Sequence, residues 1–295
     1  MSRILLTGVN GQVGFELQSA LTSLGEVIAV TRQDMDLTNQ ASILQILEKY
    51  QPTIIVNPAA YTAVDKAELE QEQAYLINRD APKTMAEWAV THNALLVHYS
   101  TDYVFDGTKE GSYVEEDIPN PQSVYGLSKL LGEQAIQQSG AKHLIFRTSW
   151  VFGVHGNNFI KTIIRLAKER ESLNVVADQH GAPTSARLIA QVTTQVLAQY
   201  VQDEQFNRYG VYHLTSNGQT TWHEYARLIV DNVQQKQKIP LLKDNIVAIP
   251  SSAYPVPAKR PTNSCLNCDK ITHSFNVDLT HWPIDVLSVI DAVCQ

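Results

Sequence analysis

Short apolar runs alternate with amphipathic segments through the first half of the chain. The apolar runs, interpreted as buried parallel strands, are residues 3–7, 27–30, 54–56, 95–97 and 144–146. Apolar positions recur at helical spacing between them, as in residues 15–21, 42–50 and 81–91. Because strands covered by helices on both faces are apolar throughout, this alternation predicts an α/β fold with a doubly wound, Rossmann-type parallel sheet.

The second half of the chain loses this regularity. Proline recurs between Pro240 and Pro261, which favours irregular loops over a site and not a continued parallel sheet. We therefore predict a dinucleotide-binding domain over residues 1–150 and a smaller, mainly substrate-binding region over residues 151–295. The boundary is interleaved: parts of residues 175–215 are expected in the first domain, and residues 211–214 resemble a strand that could return to the main sheet.

Composition argues against two classes of partner. Although 44% of the 295 residues are hydrophobic, no run approaches the ~18 apolar residues of a membrane span. The net charge of −7, without a cluster of Lys and Arg, argues against a nucleic acid as a partner.

The first strand is predicted within three residues of the N-terminus, and three cysteines do not suggest a disulfide scaffold. We expect a cytoplasmic protein without a signal peptide.

Metal and redox sites are not predicted either. Cys265 and Cys268 form a C-x-x-C, but Cys294 is the only other cysteine and no βαβ start is near them. The nine histidines lack a ligand spacing such as H-E-x-x-H. No protein-ligated transition metal is expected.

A glycine-rich turn follows the first apolar run and precedes a helical segment. Gly8, Gly11 and Gly14 are spaced G-x-x-G-x-x-G. Glycine permits a sharp turn and lets the backbone approach a diphosphate, while the start of the next helix offers free N–H groups and the positive end of its dipole. The order of strand, glycine turn and helix predicts the start of a dinucleotide-binding βαβ unit.

Tyr125 and Lys129 are spaced Y-x-x-x-K in a helical stretch, so their side chains lie one turn apart on one face. We predict that Tyr125 protonates a carbonyl oxygen as hydride reaches the carbon, while Lys129 holds the cofactor ribose. Because a nearby ammonium favours a phenolate, Lys129 is also expected to lower the pKa of Tyr125. Thr101, at the end of the fourth predicted strand, is expected to hydrogen-bond the same carbonyl oxygen.

The residues after the second predicted strand bear on the choice of cofactor. An acidic residue there binds the ribose of NADH, whereas an arginine accommodates the extra phosphate of NADPH. Arg32 lies at this place, so the sequence favours NADPH. Asp34 and Asp36 are close by, and NADH stays open.

These motifs resemble the extended short-chain dehydrogenase/reductase family and, within it, the dTDP-4-dehydrorhamnose reductases. Besides the glycine motif and residues 125–129, the matching stretches are residues 57–62, 64–68, 100–107, 147–150, 158–160, 178–184 and 260–264. The resemblance implies an NAD(P)H-dependent oxidoreductase that reduces C4 of dTDP-4-dehydro-β-L-rhamnose, giving dTDP-L-rhamnose in the last step of its synthesis. It also implies Thr101, Tyr125 and Lys129 as the catalytic trio.

The motifs and the resemblance together give the candidate site. The predicted cofactor-binding residues are Gly8, Asn10, Gly11, Gln12, Val13, Gly14, Arg32, Asp36, Leu37, Asn57, Ala59, Ala60, Tyr61, Tyr125 and Lys129. The predicted substrate-binding residues are Thr101, Asp102, Tyr103, Trp150, Asn158, Arg260 and Asn263. Tyr103 and Trp150 suit stacking on a sugar or base, with core packing as the alternative. Arg260 suits a diphosphate, with a surface cation as the alternative.

Two other functions stay open. A nucleotide-sugar dehydratase or epimerase of the same superfamily would share the tyrosine, the lysine and the cofactor. Dehydratases typically carry Asp-Glu beside the threonine, and here Thr101 is followed by Asp102 and Tyr103. A non-catalytic, NADP-binding regulatory subunit of methionine adenosyltransferase also resembles these reductases. Retention of the trio favours the enzyme.

Magnesium and a homodimer are a further implication of the resemblance. Some family members dimerise around Mg²⁺ held by carboxylates, and Glu16 stands at a matching position. One glutamate does not define such a site, and a glutamate on a first helical turn also compensates the dipole or lies in solvent. No metal site is therefore predicted, and the dimer stays open.

Overall fold

The structure, a computed structural model, describes residues 2–294 and alternates strands with helices along most of the chain. The strands are β1 (Ser2–Leu6), β2 (Gly25–Ala29), β3 (Ile54–Asn57), β4 (Leu95–Thr101), β5 (Lys142–Thr148), β6 (Val151–Phe152), β7 (Leu173–Val176), β8 (His180–Gly181), β9 (Thr184–Ser185), β10 (Gly210–His213), β11 (Thr220–Thr221) and β12 (Ile246–Ile249). The α-helices are α1 (Gln12–Ala20), α2 (Gln40–Tyr50), α3 (Val64–Ala67), α4 (Gln71–Tyr75), α5 (Ala81–Thr91), α6 (Val124–Ser139), α7 (Phe159–Glu169), α8 (Ala186–Gln202), α9 (Trp222–Lys236), α10 (Asp269–Phe275) and α11 (Trp282–Val293).

Six strands form a parallel sheet in the order β10-β5-β4-β3-β1-β2. Successive side chains of a strand point to opposite faces, and both faces are apolar here: Ile4 and Leu6 join one core while Leu5 joins the other. This double burial explains the continuous apolar runs of the sequence. The prediction of a doubly wound parallel sheet is confirmed, and the strand-like residues 211–214 do return to it, largely as β10.

Helices cover each face of this sheet. On one face, α1, α8 and α10 contribute buried side chains such as Leu17, Leu188 and Phe275. On the other face, α2, α5 and α6 contribute side chains such as Ile46 and Met85. The resulting three layers leave the carboxyl ends of the strands uncovered at one edge, which is where ligands bind in such sheets.

A second core lies outside the main sheet. Side chains of α7, α9 and α11 pack with β7 and β12 around Tyr225, which is fully buried. The expectation of irregular loops over residues 240–261 was therefore only partly right, because β12 lies within that stretch and pairs in parallel with β7. Burial of Ile246 in the second core explains why a strand forms despite the neighbouring prolines.

Four strands of the main sheet end at the same cleft. Thr7 follows β1, Pro58 follows β3, Asp102 follows β4 and Ser149 follows β5, and all four residues line it. The fold thus places side chains that are far apart in sequence on one wall.

Within residues 2–294, each helix is too short or too polar to cross a bilayer.

Candidate active site

A cleft of 790 Å³ lies at the carboxyl ends of the central strands. It brings together most of the candidate residues. Those on its wall are Gly8, Asn10, Gly11, Gln12, Val13, Gly14, Arg32, Asp36, Leu37, Ala59, Ala60, Tyr61, Thr101, Asp102, Tyr103, Tyr125, Lys129 and Trp150. The glycine turn therefore faces the Tyr125–Lys129 helix across one space large enough for a small-molecule ligand.

The glycine turn forms one end of the cleft. Gly8 has φ of +60°, and a Cβ on Gly14 would lie 2.1 Å from the Gly8 carbonyl oxygen, so both positions require glycine. Helix α1 begins after Gly11 without a side-chain cap, whereas Asn158 caps α7 and Ser185 caps α8. The first N–H groups of α1 therefore fit the role of binding a diphosphate.

The loop after β2 carries the three charged residues that bear on the choice of cofactor, Arg32, Asp34 and Asp36. Asp34 accepts hydrogen bonds from the backbone and hydroxyl of Thr31, and these bonds hold the pKa of Asp34 below its ordinary value. Asp36 accepts in the same way from the backbone and hydroxyl of Thr38, with the same effect on its pKa. Arg32 is exposed on the cleft wall. The carboxylates of Asp34 and Asp36 are thus engaged within the loop, and both Arg32 and Asp36 line the cleft.

Helix α6 is fixed at its first turn by two contacts. The Ser123 hydroxyl accepts a hydrogen bond from the Gly126 N–H at 3.1 Å, and the Val124 N–H donates to Glu68 Oε1 at 2.9 Å. Glu68 belongs to the matching stretch 64–68, to which the sequence assigned no role. These two contacts set where Tyr125 stands at the start of the helix.

Two glycines let α6 approach its neighbours closely. A Cβ on Gly126 would lie 2.2 Å from the Tyr103 carbonyl oxygen, and a Cβ on Gly132 would lie 2.1 Å from that of Asn78. Asn78 lies in a π-helical turn (Leu76–Asp80) and donates its amide to Ser128 Oγ at 2.9 Å. The helix that carries the Y-x-x-x-K motif is therefore pressed against the cleft wall, a requirement that residue spacing does not reveal.

Replacing Gly126 by alanine is expected to displace the first turn of α6, because the added methyl group would overlap the backbone carbonyl of Tyr103. We expect a loss of ~1–3 kcal/mol in unfolding free energy and a fall in turnover. Thermal denaturation and steady-state kinetics measure both. Gln134→Ala, at an exposed position of the same helix, is the control and should leave both nearly unchanged. Wild-type turnover in Gly126→Ala would contradict the tight packing.

Thr101 and Asp102 stand at the end of β4. The Thr101 hydroxyl donates to Asp102 Oδ1 at 3.0 Å and accepts from the Tyr103 N–H at 3.2 Å. Burial raises the pKa of Asp102 to about 6, against the opposing effect of its hydrogen bonds. The Tyr103 ring meets the Tyr125 ring edge-on at 5.5 Å. The threonine hydroxyl and the phenol therefore share one wall of the cleft.

The expected lowering of the Tyr125 pKa by Lys129 is wrong. Burial raises the pKa of Tyr125, the Asp102 carboxylate adds to this effect, and hydrogen bonding to Thr101 opposes it. Burial also lowers the pKa of Lys129 to about 7, with Glu133 acting in the opposite direction. A lysine with a pKa of about 7 carries only part of a full charge near pH 7, so it supports a phenolate less than an ordinary ammonium would. Burial therefore dominates, and Tyr125 is held as a protonated phenol, which suits the role of proton donor.

Lys129 is held by a residue that the sequence did not single out. Its Nζ lies 3.0 Å from Nε2 of His98, and both side chains are buried. His98 lies three residues before Thr101 in β4, directly after an apolar run that was interpreted only as a buried strand. Burial of an imidazole costs free energy unless the ring is hydrogen-bonded. A histidine within a strand predicted to be buried was therefore the sequence feature that could have indicated a polar partner.

Trp150 was expected either to stack on a ligand or to pack in the core, and its surroundings fit both roles. Its ring stacks on Trp222 at 3.7 Å between ring centroids, as a core aromatic would, yet the residue lines the cleft. Its φ of +48° is unusual for a residue with a side chain, and a Cβ on Gly181 would lie 2.6 Å from its ring. The backbone of Trp150 is therefore locally strained, and the surrounding packing holds its ring in this position.

Four candidate residues lie outside the wall formed by the described residues. Asn57 is fully buried, and Asn158 donates to Gln12 Oε1 and to the Gly153 carbonyl. Arg260 donates to Asp65 at 2.7 Å. Asn263 donates to the carbonyls of Lys109 and Gly111. Each amide or guanidinium already has a partner within the chain, and contact of these residues with a cofactor or substrate stays a prediction.

Metal ligands are not assembled in the part of the chain that the structure describes. Across residues 2–294, no three His, Cys, Asp or Glu side chains cluster in a way that could hold an ion. The single carboxylate of Glu16 does not by itself fit a Mg²⁺ site, which requires several oxygen ligands. Cys265, Cys268 and Cys294 are free thiols.

Comparison with known proteins gives consistent matches over the full length. The family model described as RmlD substrate binding domain matches residues 1–294. A dTDP-4-dehydrorhamnose reductase of Burkholderia thailandensis is 46% identical, over 99% of this chain and 100% of that protein. A crystal structure of such a reductase from Clostridium acetobutylicum superposes with a TM-score of 0.90 at 36% identity, covering 99% and 100% of the two chains. One from Bacillus anthracis, in complex with NADP, gives 0.88 at 33% identity and 99% of both chains.

Proposed function

The chain belongs to the family of dTDP-4-dehydrorhamnose reductases, and from this premise we propose that it reduces the C4 keto group of dTDP-4-dehydro-β-L-rhamnose to give dTDP-L-rhamnose. This would be the final step in making that sugar donor. The resemblance stated from the motifs is confirmed by the full-length matches.

A reduced nicotinamide dinucleotide would supply the hydride. Its diphosphate would lie on the glycine turn at the start of α1, and its ribose near Lys129. Tyr125 would give its phenolic proton to the keto oxygen as the carbon is reduced. The Thr101 hydroxyl, which donates to Asp102 in this structure, would turn its single proton to the same oxygen. The raised pKa of Tyr125 supports this assignment, because the phenol keeps its proton until a more basic alkoxide develops beside it.

One observation carries the proposal. Thr101, Tyr125 and Lys129 line the same cleft as the glycine turn, so that a dinucleotide bound to the turn extends towards them. Tyr103 occupies the position after Asp102 where a dehydratase would carry its second carboxylate, which disfavours elimination of water. The arrangement supports transfer of hydride and proton to a ketone.

We propose NADPH as the preferred cofactor, because Arg32 lines the cleft and is exposed there, while the carboxylates of Asp34 and Asp36 accept hydrogen bonds from Thr31 and Thr38 of their own loop. Replacing Arg32 by alanine should weaken binding of NADPH by about 10-fold, since a charge-assisted contact to the extra phosphate is lost, and leave NADH almost unaffected. Fluorescence titration of both cofactors measures this difference. Gln33→Ala, the exposed neighbour, is the control. An equal loss for NADPH and NADH would remove the phosphate contact.

The reaction itself is tested by supplying dTDP-4-dehydro-β-L-rhamnose with NADPH and following the loss of absorbance of the reduced nicotinamide. We expect turnover and a product that co-elutes with dTDP-L-rhamnose. Oxidation of NADPH with a different nucleotide sugar, and none with this one, would preserve the chemistry and reject the substrate. Cofactor binding without turnover of either would reject the enzyme.

A further inference from the structure

Residues 151–158, which lie between β5 and α7, pack against the glycine turn. Gly156 and Asn157 of this segment line the cleft together with the turn. The segment leads into α7, whose Ile160 and Ile163 are buried in the second core. It therefore connects the substrate-binding region to the end of the cleft where a diphosphate is expected.

The side chain of Gln12 is held by this segment. Its Nε2 donates to the Val151 carbonyl at 3.2 Å, and its Oε1 accepts from Asn158 Nδ2 at 2.9 Å. A carbonyl oxygen can only accept, so the contact with Val151 fixes which way the Gln12 amide is turned. The backbone N–H of Gln12 is at the first position of α1, where N–H groups have no partner in the helix. Gln12 therefore suits cofactor binding through its backbone, while its side chain is anchored elsewhere.

Asn158 makes three contacts, and backbone groups fix their directions. Its Oδ1 accepts from the Lys161 N–H at 3.2 Å, which caps α7. Its Nδ2 donates to the Gly153 carbonyl at 2.7 Å as well as to Gln12. Because a backbone N–H can only donate and a carbonyl can only accept, this amide has one orientation that satisfies all three contacts. One side chain thus joins the start of α7 to the start of α1.

His155 holds the turn at a second point. Its Nε2 lies 3.0 Å from the Asn10 carbonyl oxygen, so this nitrogen carries a proton and donates it. The imidazole also stacks on Phe15, with 4.4 Å between the ring centroids and 3° between the planes. Asn10 precedes Gly11 and Gln12 follows it, so the segment grips the glycine turn on both sides of this glycine.

We propose that Asn158 and His155 are positioning residues for the cofactor, because they hold the glycine turn and the first turn of α1 in the arrangement that binds a diphosphate. The resemblance implied a substrate contact for Asn158, whereas its contacts lead to the glycine turn. This role rests on the proposed function only in that a dinucleotide occupies the turn. The diphosphate is common to NADPH and NADH, so loss of either contact should weaken both cofactors by the same factor, unlike a change at Arg32.

Asn158→Ser separates the contact with Gln12 from the cap of α7. A serine hydroxyl caps a helix about as well as an asparagine amide, adds no charge and is too short to reach Gln12. We expect the Kd values of NADPH and NADH each to rise about 3- to 10-fold, as for the loss of a hydrogen bond. The affinity for dTDP, a probe of the sugar-nucleotide site, should stay at the wild-type value. Asn39→Ser is the matched control, since Asn39 caps α2 through the N–H groups of its own helix.

A double-mutant cycle tests whether the effect passes through Gln12. Gln12→Met keeps the length of the side chain and removes both of its hydrogen bonds. In that background, Asn158→Ser should change the Kd of NADPH by less than about twofold. Isothermal titration calorimetry with NADPH, NADH and dTDP measures all of these values without turnover. The same shifts in a protein that does not reduce the sugar nucleotide would reject the proposed function and support this role.

Three results would overturn the proposal. They are unchanged cofactor affinity in Asn158→Ser, an equal loss in the wild-type and Gln12→Met backgrounds, and weaker binding of dTDP with NADPH affinity intact. If Asn158→Ser does not fold, His155→Phe decides, because it keeps a ring against Phe15 and loses the hydrogen bond to Asn10. Both cofactors should then bind about threefold more weakly, and wild-type affinity would overturn the proposal.

Discussion

Replacing Tyr125 by phenylalanine is expected to lower turnover by ~10²–10⁴-fold, the usual contribution of a positioned general acid. The phenol is the proton donor on the cleft wall beside Thr101, and burial keeps it protonated at neutral pH. The ring itself remains in Tyr125→Phe, so its edge contact with Tyr103 persists and the cleft keeps its shape. Steady-state kinetics with dTDP-4-dehydro-β-L-rhamnose and NADPH measures the loss.

Tyr125→Phe should leave cofactor binding nearly unchanged. The dissociation constant of NADPH should stay within about twofold of the wild-type value, because the glycine turn and Arg32 are untouched. The losses in kcat and in kcat/KM should be similar, as expected for an interaction made in the transition state. Tyr200→Phe, the same chemical change on α8, is the matched control and should have no effect. Wild-type turnover in Tyr125→Phe would remove the acid role.

Replacing Glu133 by glutamine is expected to cost ~3–5 kcal/mol of unfolding free energy. Glu133 and Arg147 form an ion pair at 2.6 Å whose side chains are 0% and 4% exposed. Arg147 donates through both Nε and Nη2, so the loss of the carboxylate leaves a guanidinium buried without its countercharge. Because the pair joins α6 to β5, the change should also loosen the helix that carries Tyr125 and Lys129. Urea denaturation at neutral pH measures the loss.

Two comparisons sharpen this result. Glu169→Gln breaks the exposed pair of Arg165 and Glu169, and it should cost less than about 0.5 kcal/mol. The double variant Arg147→Met with Glu133→Leu removes both charges together, and it should be less destabilising than Glu133→Gln alone. A loss in Glu133→Gln as small as that in Glu169→Gln would contradict the burial of the pair.

The main sheet could be predicted because its physical cause is local. Strands buried on both faces must be apolar at every position, so residues 54–56 and 95–97 stand out without knowledge of their partners. The second core could not be predicted in the same way. The prolines around β12 favour loops, and the strand there depends on its pairing with β7 and on the burial of Ile246 in the second core.

In the candidate site too, the local motifs could be predicted from the sequence, whereas the distant residues that hold them in place could not. The glycine turn and the Y-x-x-x-K helix are short motifs whose geometry follows from spacing, and the structure places both on one cleft. The residues that hold them are distant in sequence: Glu68 lies 56 residues before the N–H that it accepts, and His98 lies 31 residues before Lys129. Spacing also predicted the wrong electrostatic effect for Lys129, because a motif does not reveal how deeply a lysine is buried.

The most direct test of the account is a crystal structure of the protein with NADP⁺ and dTDP-L-rhamnose bound together. We expect the C4 oxygen of the sugar within about 3.2 Å of both the Tyr125 hydroxyl and the Thr101 hydroxyl, with Lys129 Nζ at the nicotinamide ribose. A dinucleotide bound away from the glycine turn, or a C4 oxygen beyond the reach of both hydroxyls, would contradict it.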